Sequence, residues 1–465
     1  MLAIAGFSMV TLFMVLIMSK RLTPVVVLII IPILTALLLG TTPEEIGKMS
    51  LDGVKTLAPT GVMLMFAILY FGVMIDAGLF DPAVRRIVRL VEGDPLKVVL
   101  GTAGLAAFIS LDGDGATTYM ITVAAMLPLY QRLGMNALNL TCVTMLASGV
   151  MNMTPWGGPL ARAASALHVD PTDIFLPMLP SMAVGLLGVF AIAYHLGRKE
   201  RERLRFVVGP GTPGESRLAS NTPSDESGVG TAAAGISDDG LMEETALLPD
   251  PDTARASARP HLLWVNAALT LALMATLVAQ LLPMPILFMV GFAIALLINY
   301  PKMADQRERL VAHAPNVIAV VSIIFAAGIF TGVLNGTGMV EAMSTTFVAA
   351  VPEALGPGLA YITAVASLPF TFFISNDAFY FGVLPIVAEA GGQFGIAHVE
   401  MARAALVGQP VHVLSPLVPS TYLLVGLAGV ELGDHQRFTL KWAVLICLII
   451  GTMAALTGVF VIGHQ

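Results

Sequence analysis

Charged residues are scarce in this sequence: Asp, Glu, Lys and Arg make up 12% of its 465 residues, whereas hydrophobic residues make up 56%. An ordinary soluble domain carries about 25% charged residues. This scarcity excludes a water-soluble globule. The apolar residues come in blocks of about twenty, the length that crosses a hydrocarbon core of about 30 Å. The sequence therefore predicts an all-α polytopic protein whose partner is the lipid bilayer.

Cysteine is almost absent, which removes further classes of protein. Cys142 and Cys447 both lie inside apolar blocks, so a disulfide framework and a cysteine-based metal cluster are excluded. The net charge of −7 lies mostly in loops and in one polar segment. This distribution predicts no nucleic-acid partner.

Composition divides the chain into three parts. Apolar blocks fill residues 1–197 and resume over residues 261–465, whereas residues 198–260 open with a charged run and become rich in Gly, Pro, Ser, Thr and Asp. Such a segment has too few apolar side chains to repay the entropy of ordering. We predict a first membrane repeat, a cytoplasmic disordered linker and a second membrane repeat over these three ranges.

Short motifs indicate that the second membrane part repeats the first. Phe108-Ile109-Ser110 and Phe373-Ile374-Ser375 each open the polar interruption of a long apolar block, and Thr154-Pro155 downstream corresponds to Ser415-Pro416. Both halves also share the order of three helices, hairpin, broken helix and helix. An internal duplication follows from this agreement.

The interrupted blocks around Ser110 and Ser375 are too short on either side of their polar centre to make two full spans, so each predicts a re-entrant hairpin. Each half then makes five crossings plus a hairpin and a broken helix. An odd number of crossings inverts the second half relative to the first, the plan of many secondary transporters. The distribution of Lys and Arg favours both termini outside and the linker in the cytoplasm.

The first hairpin tip carries acids between glycines. Ionised carboxylates at membrane depth cost about 2.5 to 3.5 kcal/mol each and need a cation, a proton or helix N-termini as compensation. The alternative is an ordinary surface loop, because Asp-Gly pairs are common turn formers. We interpret the tip as a binding site, with the candidate residues Ser110, Asp112, Gly113, Asp114, Gly115 and Thr117.

The second tip reads Ser375-Asn376-Asp377. Its hydroxyl and amide groups suit substrate carboxylate oxygens, and Asp377 again supplies a negative charge. These residue types are also the preferred helix N-caps, which is the alternative interpretation. A cap inside the membrane is itself a place where an ion binds, so the two interpretations are compatible.

The broken helices complete the predicted site. Prolines remove backbone donors and leave free carbonyls that must meet protein, water or a cation. The candidate residues are Asn152, Thr154 and Pro155 in the first half and Ser415 in the second. Arg162 has two open roles: pairing with a substrate carboxylate, or with an acidic residue at the outer surface.

These motifs carry a family resemblance. Lys20-Arg21-Leu22, the Leu-Asp-Gly-Asp-Gly-Ala-Thr-Thr segment at 111–118, residues 152–159 and the segment from Ser375 to Pro385 resemble the bacterial citrate–metal:proton symporters, the CitMHS family. The resemblance implies import of citrate complexed with a divalent metal of the Mg or Ca class, coupled to protons, across the inner membrane of a bacterial cell. It implies no permanent cofactor. Paired hairpins in related transporters belong to a mobile unit on a dimeric scaffold, so it also implies an elevator-type homodimer.

A metal on fully ionised citrate leaves a complex of charge −1, so the site must hold both a hard cation and surplus carboxylates. Hard divalent ions favour oxygen ligands. We expect Asp112, Asp114 and Asp377 to contact the metal or carry the coupling proton, while the hydroxyl and amide groups at the two tips hold the carboxylates.

Two alternative transport functions remain: a sodium- or proton-coupled transporter of another small carboxylate or anion, and a channel. Enzymes are not expected, because the sequence contains neither a GxSxG elbow nor a P-loop.

Overall fold

The computed structural model describes residues 2–19, 21–91, 93–113, 115–207, 258–350 and 353–460. Within these ranges the regular structure is helical and contains no β-strand. The first half contains α1 (Leu2–Met18), α2 (Pro24–Leu38), α3 (Pro43–Asp76), α4 (Asp81–Val91), α5 (Pro95–Ile109), α6 (Gly115–Arg132), α7 (Ala137–Met151), α8 (Gly158–Leu167) and α9 (Pro171–Val207). The second half contains α10 (Leu263–Val278), α11 (Met284–Asn299), α12 (Met303–Gly336), α13 (Met339–Ala350), α14 (Leu359–Phe373), α15 (Leu384–Gly392), α16 (His398–Leu406), α17 (Gln409–His412), α18 (Pro419–Ala428) and α19 (Leu432–Leu456).

Seven helices in the described ranges are long and apolar enough to cross a membrane, which confirms the polytopic prediction. The two halves follow the same order of elements. A short amphipathic helix (α4 or α13) precedes each hairpin, and each hairpin precedes a helix that breaks and resumes before a long last helix.

The helices α3 and α12, of 34 residues each, pack extensively against each other. They run antiparallel: Gly53 of α3 packs on Gly328 and Gly332 of α12, and Gly72 packs on His313. A Cβ on Gly53 would collide with the Gly328 carbonyl oxygen. Close approach of the two backbones therefore requires glycine.

The start of α3 lies well before the apolar block that begins at Pro59. Thr42 caps the helix through a capping box with Glu45, and Pro43 occupies its first turn. These local signals start the helix in a more polar stretch. The contacts of Gly53 with α12 then explain why this first part of α3 belongs to the packed core.

Helix α9 continues through the charged run into residues assigned by composition to the linker. Arg201 forms an ion pair with Asp94 at 2.5 Å. Arg203 donates to the Gly134 carbonyl at 2.6 Å, and the Glu200 carboxylate accepts from the backbone N–H of Asn136 at 2.7 Å. These contacts hold both ends of the first hairpin and order the helix to Val207. Residues 208–257 lie outside the described residues, so the rest of the linker stays a prediction.

Both predicted hairpins are interrupted at their tips. In the first, a 3-10 turn over Ser110–Asp112 separates α5 from α6. In the second, α14 ends at Phe373 and a π-helix over Ala378–Val383 leads into α15. Single π-helical turns are rare and frequent at functional sites.

Candidate functional site

An ion pair between the two halves lies at the second tip. Arg162 of α8 donates through Nε to Asp377 Oδ1 at 2.6 Å. The Arg162 side chain is 19% exposed and that of Asp377 12% exposed. Charges removed from water to this degree need a partner. The acidic partner left open for Arg162 is therefore an aspartate at the hairpin tip, 215 residues away in sequence.

The broken helix of the second half holds the hairpin that leads to this tip. His412 Nδ1 lies 2.7 Å from the Thr371 carbonyl oxygen, and Ser415 Oγ donates to the Phe372 carbonyl at 2.7 Å. Both carbonyls belong to the last turn of α14, where no intrahelical donor remains. The break in the second half thus provides hydrogen-bond partners for the carbonyl groups at the C-terminal end of α14.

Ser375 behaves as a helix cap, since its Oγ accepts from the backbone N–H of Ala378 at 3.2 Å. The neighbouring Asn376 Oδ1 is buried without a hydrogen-bond partner. The same holds for Thr154 Oγ1 in the break of the first half. Buried polar groups are ordinarily paired, so these two predicted site residues have unused binding capacity.

The two breaks are joined by amide and hydroxyl groups. Gln409 donates through Nε2 to the Tyr380 hydroxyl at 2.8 Å, and Asn152 donates through Nδ2 to Gln409 Oε1 at 3.3 Å. At the same crossing, a Cβ on Gly149 would lie 2.8 Å from the Cα of Pro410. Close packing here requires the absence of a side chain at Gly149.

The first tip is organised around a glycine. Gly113 has φ of +81°, a conformation that non-glycine residues rarely adopt. A Cβ there would lie 2.8 Å from Cδ1 of Trp156. Trp156 itself donates from Nε1 to the Leu111 carbonyl at 2.8 Å. The first broken helix therefore holds the first tip, as the second holds the second.

Acidic and hydroxyl groups of the first tip are buried together. Asp112 is 7% exposed, and Ser110 Oγ lies 3.1 Å from Thr118 Oγ1. Thr117 lies in the first turn of α6, which Gly115 begins beside Ser420 of α18. Asp114 lies outside the described residues. Each hairpin thus contacts the broken helix of the opposite half: the first through Ser420, the second through Arg162.

A cavity of about 460 Å³ opens beside the second tip. Ser375 and Asp377 line it from the tip, Arg21 and Thr23 from the connection between α1 and α2, and Pro419 from the start of α18. The second tip therefore faces space large enough for a small molecule.

Sequence reasoning placed Asn152 and Pro155 in the first break and Ser415 in the second, where the structure also has them; Pro155 is buried there. It missed the partner of Arg162, the bridge through Gln409 and Tyr380, and the position of Arg21. The sequence signal for the ion pair of Arg162 was the presence of a single arginine in the otherwise apolar α8. Among the described residues, no group of three or more His, Cys, Asp or Glu side chains is arranged to hold a metal.

The sequence is similar to known transporters along almost its whole length. It is 53% identical over 459 residues to a citrate transporter of Bacillus subtilis (strain 168), covering 99% of each chain. It is 47% identical over 458 residues to the Mg(2+)/citrate complex secondary transporter of the same organism, covering 98% of this chain and 99% of the relative.

The fold is similar to that of a solved transporter. The crystal structure of the Alcanivorax borkumensis YdaH transporter matches with a TM-score of 0.54 at 16% identity, covering 87% of this chain and 86% of that one. The citrate transporter family model, CitMHS, matches residues 13–408. The chain thus belongs to the CitMHS family of citrate transporters, which are membrane proteins and not enzymes.

Proposed function

We propose that this protein imports citrate as a complex with a divalent metal ion, coupled to protons, across the inner membrane of a bacterial cell. The observation that carries the proposal is the largely buried Arg162–Asp377 pair beside the cavity at the second tip. Charged groups within a membrane protein are costly and mark substrate or ion pathways. The similarity to a relative named for the Mg(2+)/citrate complex supports the choice of substrate.

The site residues divide by chemistry. Asp112, Asp114 and Asp377 are proposed to contact the metal, of the Mg or Ca class, or to carry the coupling proton. Both Mg²⁺ and Ca²⁺ favour oxygen ligands. Within the described part of the chain, Asp112 and Asp377 are buried at the first and second tips.

Citrate carboxylates need hydrogen-bond donors, and we assign these to the tips and breaks. The Thr154 hydroxyl, whose oxygen is buried without a hydrogen-bond partner, can donate its hydrogen to a carboxylate, and the Asn376 side chain can donate through Nδ2. Ser110, Thr117, Ser375 and Ser415 add hydroxyls, and Asn152 and the backbone at Gly113, Gly115 and Pro155 shape the site.

The two halves are proposed to be inverted repeats that work by an elevator motion in a homodimer. The antiparallel packing of α3 and α12 supports inversion. When both helices are counted from their first residues, Gly53 of α3 occupies the same position as His313 of α12, and Gly72 the same position as Gly332. Exchanging the two helices therefore turns the contact between Gly53 and Gly332 into the contact between His313 and Gly72, and both contacts are present. A twofold axis in the membrane plane produces this exchange.

The three-part division of the chain, at 1–197, 198–260 and 261–465, is proposed with one adjustment: the connector begins after Val207, where α9 ends. Arg259 donates to the Asn299 carbonyl at 3.0 Å, and its amide donates to Ala77. We therefore propose that the segment between Val207 and Arg259 acts only as a tether between the two repeats.

Uptake of radiolabelled citrate into proteoliposomes tests the proposal. Metal is omitted or supplied as Mg²⁺ or Ca²⁺, and a proton gradient, a sodium gradient or no gradient is imposed. We expect accumulation above equilibrium that requires both the metal and the proton gradient. Accumulation driven by sodium without metal would identify the alternative carboxylate transporter, and flux that never exceeds equilibrium would identify a channel.

A further inference from the structure

We infer that Arg21, in the connection between α1 and α2, is a specificity-determining residue that selects substrate complexes carrying one net negative charge. The inference rests on the proposed function and deepens it. Arg21 lines the same cavity as Ser375 and Asp377, although it lies outside both hairpins and both broken helices.

The charges around this cavity do not cancel. Asp377 is neutralised by Arg162 at 2.6 Å, so the pair contributes no net charge. Arg21 is exposed, and in the described part of the chain it forms no ion pair with a carboxylate. Counted together, Arg162 and the two charged side chains that line the cavity, Arg21 and Asp377, leave one excess positive charge beside the second tip.

That excess matches the proposed cargo. Metal-bound citrate carries a charge of −1 and presents carboxylate oxygens outward. A guanidinium binds a carboxylate through two parallel N–H donors, whereas an ammonium acts as a point charge. Arg21 is thus placed to hold a carboxylate that the metal leaves free, while a neutral complex would gain much less from it.

A role in membrane topology is the competing explanation, because Lys and Arg accumulate on the cytoplasmic side. Lys20 is adjacent in sequence, so replacing Arg21 alone keeps a basic residue in the same connection. Arg86 of α4 is an exposed arginine that does not line the cavity. The Arg86→Gln variant is therefore the matched control.

The experiment compares wild type, Arg21→Gln, Arg21→Lys and Arg86→Gln in proteoliposomes, with KM and Vmax measured separately. The substrates are Mg²⁺–citrate, of charge −1, and Mg²⁺–malate, which is neutral. We expect Arg21→Gln to raise KM for Mg²⁺–citrate at least about tenfold, the loss of a charge-assisted hydrogen bond. Vmax stays within about twofold, and the preference over Mg²⁺–malate falls. Arg21→Lys lies between, and Arg86→Gln matches wild type.

An unchanged KM in Arg21→Gln, or an equal rise in Arg86→Gln, would overturn the inference. A fall in Vmax alone, with less protein recovered in the membrane, would assign Arg21 to insertion and overturn it as well. Uptake of free citrate by wild type without metal would instead refute the proposed function. In that case the same KM ratio between Arg21→Gln and Arg86→Gln, measured with free citrate, still decides whether Arg21 binds the anion.

Discussion

The two hairpin tips occupy equivalent places in the two halves, yet they hold their charges by different means. At the second tip, Asp377 is paired with Arg162 from the other half, so the tip is electrically neutral. At the first, the buried Asp112 lies next to a glycine turn, and the tip is held through its backbone by Trp156. We propose that this difference divides the roles given to the acids: the carboxylate of Asp112 contacts the metal at the first tip, whereas Asp377, held by Arg162, carries the coupling proton at the second tip, among the groups that hold the carboxylates.

The largest expected effect comes from breaking the ion pair of the second tip. Asp377→Asn leaves the largely buried Arg162 without a counter-charge, which costs up to about 3 to 5 kcal/mol. We expect citrate uptake to fall at least about 100-fold, together with the thermal stability of the purified protein. Proteoliposome uptake and thermal unfolding measure the two effects.

The double variant Arg162→Gln with Asp377→Asn separates structure from function. It removes both charges, so we expect most of the stability to return while uptake stays low. Glu389→Gln is the control, because the Glu389–His398 pair is 41% exposed at both side chains. Wild-type uptake in the double variant would show that the pair is structural only.

Asp112→Asn tests the first tip and is expected to have the next largest effect. The change preserves size and removes charge. If this tip faces the metal, KM for the metal complex rises about tenfold and the ratio of Mg²⁺- to Ca²⁺-supported uptake changes, because carboxylate charge contributes to the affinity for hard cations. Asp52→Asn, at an exposed residue of α3, is the control. A uniform loss with both metals would contradict the division between the tips.

The sequence predicted a large part of the fold. Blocks of apolar residues located the spans, and Ser110 and Ser375 located the interruptions, because both signals are local and periodic. The apolar residues alone would start α3 at Pro59, whereas the helix starts at Pro43, since the packing of Gly53 against α12 is a tertiary contact. Helix α9 also runs further than composition suggested, because Arg201 and Glu200 find partners near the first hairpin.

The candidate site was less predictable. Residue type alone selected Asp377 and Asn376, and no local pattern could assign Asp377 to Arg162, since their contact depends on how the halves pack. From the sequence, Arg21 stands out only as part of the motif Lys20-Arg21-Leu22. Its presence beside the second tip follows from where the α1–α2 connection lies in three dimensions.

A smaller effect is expected from loosening the first tip. Trp156→Phe keeps an aromatic ring and removes the donor to the Leu111 carbonyl, a hydrogen bond worth about 1 kcal/mol. We expect KM to rise about fivefold without loss of folded protein. The control is Trp442→Phe, because Trp442 Nε1 is buried without a hydrogen-bond partner. Equal effects of the two variants would show that aromatic packing, and not the hydrogen bond, holds the tip.

The smallest effect concerns the base of the first hairpin. Burial raises the pKa of Asp94, but hydrogen bonds from Arg201 and the Leu96 amide outweigh it and leave the pKa below its ordinary value. The ion pair therefore stabilises the fold fully above the ordinary pKa of aspartate, and this contribution is lost as pH falls through the lowered value.

Asp94→Asn should accordingly lower thermal stability by about 1 kcal/mol or less at neutral pH, since the pair is partly exposed. The difference from wild type should shrink in acid. Glu202→Gln is the control, because the Arg198–Glu202 pair is 66% and 55% exposed. A difference that stays constant down to acid pH would assign the effect to something other than the charge.

The bridge from Asn152 through Gln409 to Tyr380 has a consequence for the transport cycle. Trp156 fastens the first tip to one broken helix, and His412 and Ser415 fasten the second hairpin to the other. Because the bridge joins the two broken helices, the two tips are connected to each other through hydrogen bonds. We expect a displacement of either tip to carry the other, so that the groups proposed to contact the metal and those proposed to hold the carboxylates change access together. Transport would then proceed in whole complexes, with a fixed ratio of one metal to one citrate per turnover.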